Sequence, residues 1–308
     1  ADSVVSYLND QVITSPHWSE VQKETVREAL TVFANNQKVQ KAMTAWLGGH
    51  SRRLTDNLEA QRLFLFNVMA QVEVGKFPKE WESVLAKALA NPKFTEPTKL
   101  AAIGVIQSRG LSGVDTALHG LVNDAKASPA LRLAALNAVA SRVKGVPKEL
   151  ESFLHDQHAP GRLATRRSAA ARVTGQLAWN DAQRLGIAKK WLTDADGLTW
   201  PLLLPAFENS ESEAVGLALV KAMTAAPEGV LTEVLATKIF EGYSSRVKER
   251  AQPLLARLAK AKKGELKRLE ALAPLLNGGD VGRGRRVFFG QKAVCGTCHT
   301  IGAEGGNL

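Results

Sequence analysis

The sequence predicts an all-α protein, a long succession of helices that ends in a short and chemically distinct segment. Three observations carry this. Alanine and leucine are abundant while aromatic residues make up only 6% of the 308 positions, a bias toward close-packed helices. Glycine, proline and Asx residues cut the chain repeatedly, at Gly48-Gly49, Asn91-Pro92, Ser128-Pro129, Ala159-Pro160-Gly161 and Ala226-Pro227. Up to about residue 275 no stretch alternates apolar and polar residues in the manner of a strand.

Taken in order, the helices begin to repeat. The run from Asn57 through Leu58, Glu59, Ala60, Gln61, Arg62, Leu63 and Phe64 opens a helix with apolar residues at helical spacing. Lys99-Leu100-Ala101-Ala102-Ile103 then matches Arg132-Leu133-Ala134-Ala135-Leu136. Arg167-Ser168-Ala169-Ala170-Ala171 matches both, and Ser212-Glu213-Ala214-Val215-Gly216 does so more loosely. The aligned small residues lie 33, 35 and 45 positions apart. Small residues let helices approach closely and leucines fill the seam. Over residues 20–275 the chain therefore resembles the HEAT-repeat family, which implies a HEAT- or armadillo-like solenoid of paired helices. Gly278-Gly279-Asp280 breaks the pattern, so residues 1–277 are expected to form the repeat domain and 278–308 a second unit. Asp280 is a suitable N-cap for a short helix through Arg285, Arg286, Val287, Phe288 and Phe289.

The second unit carries the chemistry. Cys295-Gly296-Thr297-Cys298-His299 spells Cys-x-x-Cys-His, the attachment signature of a c-type haem, and it uses both cysteines of the chain. Two thiols at that spacing can add to the two vinyl groups of one porphyrin, and the next residue brings an imidazole to the iron. With Gly279-Asp280 opening a helix and Gly284 inside it, the segment resembles the opening of class I cytochromes c. That resemblance implies one covalent haem c, with Cys295 and Cys298 as anchors and His299 as the proximal ligand of the iron. It also implies an aromatic ring packed near the haem, matched by Phe288 or by Phe289. Helical repeats followed by such a segment resemble the large haem-binding Cys-x-x-Cys-His proteins of planctomycetes and verrucomicrobia. This implies a sugar-dehydrogenase domain elsewhere in a longer chain, and a sequence that stops inside the cytochrome domain. Ala1-Asp2-Ser3 carries no start methionine and no apolar targeting stretch, in keeping with an internal piece.

Other metal and redox readings are weaker. Zinc needs four ligands, and adjacent Cys298 and His299 seldom serve together. A thioredoxin-like dithiol needs a βαβ setting. Met43, Met69 and Met223 all precede the motif and read as core packing, so no methionine follows His299 as a sixth ligand. Trp18, Trp46, Trp81, Trp179, Trp191 and Trp200 read as core anchors. His17, His50, His119, His155 and His158 read as surface residues, with His155 and His158 three apart on one helix.

Charge sets the partner class. The net charge is +10, and the stretch from Lys238 to Lys292 holds fourteen basic against five acidic residues. Such a field beside a redox centre steers a partner with an acidic surface, although Lys260, Lys262, Lys263, Lys267 and Arg268 also suit a solvated helix face. Basic residues without interleaved aromatics argue against nucleic acid, and no apolar run reaches bilayer length. No nucleophile–base pair, phosphate loop or persuasive carboxylate pair appears, so no catalytic residue is assigned. The expectation is an electron carrier in the periplasm or another extracytoplasmic compartment, serving a dehydrogenase. The alternatives are a repeat scaffold that binds protein or polysaccharide, with the haem segment incidental, and a haem enzyme with an open iron site.

Overall fold

The computed structural model describes residues 2–13, 19–48, 58–297, 299–301 and 304–305. His17, Trp18, His50, Asn57 and Cys298 lie outside these residues, as does the stretch 306–308. The chain is all-α. Its helices are α1 (Asp2–Ile13), α2 (Glu20–Val32), α3 (Gln37–Leu47), α4 (Leu58–Gln71), α5 (Lys79–Ala90), α6 (Glu96–Arg109), α7 (Asp115–Asn123) and α8 (Pro129–Val139). They continue as α9 (Lys148–His158), α10 (Ala164–Gln176), α11 (Asp181–Gly186), α12 (Trp200–Leu203), α13 (Glu213–Ala225), α14 (Glu233–Phe240), α15 (Ser245–Leu272) and α16 (Val281–Phe288). Two two-residue strands, β1 (Thr300–Ile301) and β2 (Glu304–Gly305), pair antiparallel near the C-terminus.

The helix ends fall where the sequence chemistry puts them. Ser19 caps α2 in a reciprocal capping box with Gln22. Ser128 accepts the Leu131 amide at 3.1 Å, with Pro129 at the first helical position of α8. Gly110 closes α6 in the left-handed region, at φ +61°, where a Cβ is strained.

Packing follows a two-step rule. α2, α4, α6, α8, α10 and α12 touch in succession, and so do α1, α3, α5 and α7. Cross-pairs such as α3 with α4, α5 with α6, α7 with α8 and α9 with α10 join the two rows. The repeated small residues lie at the row contacts. Ala102, Ala135 and Ala170, on α6, α8 and α10, are each fully buried. Arginines tie the rows at helix ends, where backbone carbonyls lack partners. Arg132 donates to Val122 O at the end of α7 (2.9 Å), Arg167 to His158 O at the end of α9 (3.2 Å) and Arg257 to Thr224 O at the end of α13 (3.0 Å).

One continuous core runs from Leu8 to Leu254. Trp46, Trp81, Trp179, Trp191 and Trp200 are buried in it, as are Met43, Met69 and Met223. Each buried side chain of this size contributes about 1.5–3 kcal/mol. His158 departs from the sequence expectation. Its neighbour His155 is exposed as anticipated, but His158 is buried with its ring stacked 6.2 Å from that of Trp191. The cause is tertiary, because the π-helical turn Ile187–Trp191 carries the indole over the end of α9.

Past Leu258 the chain leaves the core. From Lys260 to Gly279 every residue except Gly264 is exposed. No helix among the described residues is long and apolar enough to cross a membrane.

Candidate functional site

The Cys-x-x-Cys-His segment is built on α16. Gly278, at φ +84°, turns the chain out of α15, and the Asp280 carboxylate accepts the Arg283 amide at 2.5 Å to start the new helix. α16 ends at Phe288, whose ring meets that of Phe289 edge-on at 4.9 Å. The backbone then turns at Val294, the one non-glycine residue with positive φ (+54°) among the described residues. A β-branched residue in that region costs on the order of 1–2 kcal/mol, so the turn is held against local preference by its surroundings.

Cys295 to Thr297 form a single 3₁₀ turn. The Thr297 amide donates to Val294 O at 3.1 Å, and the His299 amide donates to Cys295 O at 2.9 Å. Cys295 and His299 are therefore one hydrogen-bonded turn apart. A Cβ on Gly296 would lie 2.6 Å from Phe289 Cδ1 and 3.4 Å from Phe288 Cε1, so both phenyl rings close on the middle of the motif and a side chain there would have to push the Phe289 ring aside. Gly305, at φ +117°, brings β2 over the His299 carbonyl, where a Cβ would sit 2.2 Å from the oxygen.

Cys295 is a free cysteine, half-buried. It forms one edge of an open, mostly apolar groove of about 410 Å³ that runs along α16 past Gly279, Arg283, Gly284, Val287 and Phe288. Nothing lies within 4 Å of the position a Cβ on Gly284 would take, so the groove floor is open there. His299 is exposed. The structure thus brings Cys295, Phe288 and His299 into one small unit, while Cys298 lies outside the described residues.

The sequence reading missed the strap across this unit. Arg285 pairs with the Glu304 carboxylate and rests 5.1 Å from the Phe289 ring centre, tying α16 to β2. Glu304 gave no signal because the pairing depends on the hairpin return. The exposed pair itself adds little stability and serves mainly to fix geometry.

The remaining histidines stand apart. His119 is half-buried on α7, and the His155 ring lies 5.3 Å from Trp191. No group of three or more metal-ligating side chains occurs among the described residues. A second cavity, about 370 Å³, opens on the face of α8 and α10 between Gln107, Leu133, Asn137, Leu163, Arg166 and Arg172. No protein-family model matches the chain, and no curated protein or solved structure matches it either.

Proposed function

We propose that this chain is an electron-transfer protein in which a HEAT-like helical solenoid, residues 1–277, carries the opening of a c-type cytochrome, residues 278–308. The observation that carries the reading is the Cys-x-x-Cys-His run, with a free Cys295 thiol at the edge of an apolar groove beside Phe288. Such a groove suits the flat apolar face of a porphyrin, and the thiol and imidazole donors one turn apart suit its covalent and axial attachment. The two-row stacking and the buried alanines at repeat spacing support the solenoid.

Cys295 and Cys298 would hold the haem through thioethers, and His299 would ligate its iron. Once bound, the group supplies a one-electron ferric–ferrous couple. The chain's own residues do the rest. Phe288 and Val287 present an apolar wall to the ring. Phe288 and Phe289 pack on Gly296 and set the turn. Arg285 and Glu304 clamp the hairpin that carries His299. The basic residues from Lys238 to Lys292 steer a partner with an acidic surface. The chemistry of attachment puts the protein in the periplasm or a comparable compartment, in service of a dehydrogenase.

The test is expression with a cytochrome c maturation system, followed by visible spectra on denatured protein. A haem band that survives acid–organic extraction is the expected result. Cys295→Ser should leave one thioether and move the reduced band to longer wavelength. An extract that carries all the haem away would end the reading.

A second reading rests on the cavity along α8 and α10, where Arg166 and Arg172 flank an apolar floor. It makes the repeats a scaffold for a protein or polysaccharide ligand. Full ligand binding by a chain ending at Asn277 would favour it.

A further inference from the structure

We propose that the cavity between α8 and α10 binds an extended peptide with carboxylate side chains at alternate positions. The inference rests on the second reading above, in which the repeats are a scaffold, and it names the ligand. The cavity, about 370 Å³, lies between two helix stripes. Ala130, Leu133, Ala134 and Asn137 step by three and one along α8, and Arg166, Ala169 and Arg172 step by three along α10, so each set shares one face of its helix. The α8 stripe covers about 10 Å of helix axis. That is the length of about three residues of extended chain.

Charge decides what enters. No acidic side chain lines the cavity, and two arginines do. Other arginines on the same stretch of chain are already matched. Arg162 pairs with Asp156 at 2.6 Å and Arg167 with Asp196 at 2.7 Å. Arg166 and Arg172 have no such partner among the described residues, so two spare positive charges stand over an apolar floor. They leave α10 about 9 Å apart along its axis. Carboxylates on alternate residues of an extended chain stand on one side, about 7 Å apart, a difference that two long side chains close. The guanidinium fork then takes each carboxylate through two parallel hydrogen bonds.

The amides decide what carries the carboxylates. Gln107 and Asn137 also line the cavity, and a carboxamide both donates and accepts, as a peptide group does. The Asn137 Oδ1 is buried without a partner. Turning that amide into the cavity gives its oxygen the backbone N–H of a bound strand, and gives the strand's carbonyl the Nδ2 donors. Leu163, 69% exposed at the rim, offers contact to an apolar residue beside the acidic pair. A polyuronate is equally anionic but fits less well, because no aromatic ring lines the cavity for a sugar face to stack on.

Fluorescence anisotropy on the full chain tests the assignment. The probes are a labelled nonapeptide with two glutamates two positions apart among leucines and alanines, its glutamine counterpart, and a labelled oligogalacturonate. The expected result is saturable binding of the glutamate peptide, weakened about tenfold or more in the glutamine peptide and in the Arg166→Gln/Arg172→Gln chain. Ala130→Trp, at an exposed position on the cavity wall, should block binding with both arginines in place, so the outcome does not hang on the fold of the arginine variant. Lys260→Gln/Lys263→Gln removes the same charge from exposed positions on α15 and should leave the affinity unchanged. Binding indifferent to the arginine pair, or weakened equally by the lysine changes, is general attraction to a basic chain and overturns the proposal. Binding of the oligogalacturonate alone overturns it too but keeps the scaffold reading, and binding of neither probe removes both. Every lining residue lies within 107–172, so haem attachment does not enter the result.

Discussion

Burial pushes the pKa of His158 down to about 4, helped by the nearby Arg167 guanidinium and opposed by Asp194 and Asp196. Its Nε2 finds no hydrogen-bond partner among the described residues, as suits a neutral ring. In the unfolded chain the same imidazole titrates near 6.5. Between those values the unfolded state takes up a proton that the native state refuses. The stability tied to the neutral ring is therefore complete above pH 6.5 and falls as pH drops toward 4, by about 1.4 kcal/mol per pH unit. Urea unfolding at pH 7 and pH 5 should show a loss of about 2 kcal/mol from this group. The His158→Gln variant should flatten that slope, and an equally steep slope in the variant would refute the assignment. At this scale the sequence was legible for residues whose chemistry allows one environment. Tryptophan and methionine at the interior-facing positions are buried as read. The histidine was not legible, because its burial depends on an indole supplied from more than thirty residues downstream.

Helix contacts impose sharper tests than composition does. Gly216, at the end of the loosely matching fourth run, sits on α13 where a Cβ would be 2.6 Å from the Tyr243 ring and 2.8 Å from Val247. Gly216→Ala should cost about 1–3 kcal/mol by overpacking. Gly175→Ala should cost more, since its Cβ would meet the backbone oxygen of Leu202 at 2.2 Å and backbone yields less than a side chain. Gly104 on α6 has nothing within 4 Å, so Gly104→Ala should stabilise by about 0.5–1 kcal/mol through helix propensity alone. Thermal melts of the three variants separate contact from propensity; equal shifts would show that the glycines do not mark close approach. Arg167 adds a further case. It donates to His158 O, to Asp194 O at 2.7 Å and to Asp196 Oδ2 at 2.7 Å, a planar fork that lysine cannot reproduce. Arg167→Lys should lose about 1–3 kcal/mol in the same melts. The alignment of Arg132 with Arg167 was visible in the sequence, while their common job of capping the preceding helix was not. The capped carbonyl belongs to a helix end whose position the repeat alone does not give.

Across the molecule, charge and exposed apolar surface gather at one end of the chain. The stretch from Lys238 to Lys292 was readable as basic by counting. That its leucines would stand in water was not readable, because the amphipathic pattern of α15 continues unbroken past Leu258 while the helices that cover it stop. If this end meets an acidic redox partner, stopped-flow association should slow as salt rises, since the Debye length shrinks from about 30 Å at 0.01 M to about 10 Å at 0.1 M. A rate indifferent to salt would remove steering from the account. The layered contacts have their own consequence. Every pair of α-helices in substantial contact among the described residues is one or two places apart in the chain. Such a molecule has little long-range closure to overcome, so it can begin to fold wherever a few neighbours meet and grow outward from there. It can also come apart from its ends while the middle stands, like a stack of coins losing the outermost first.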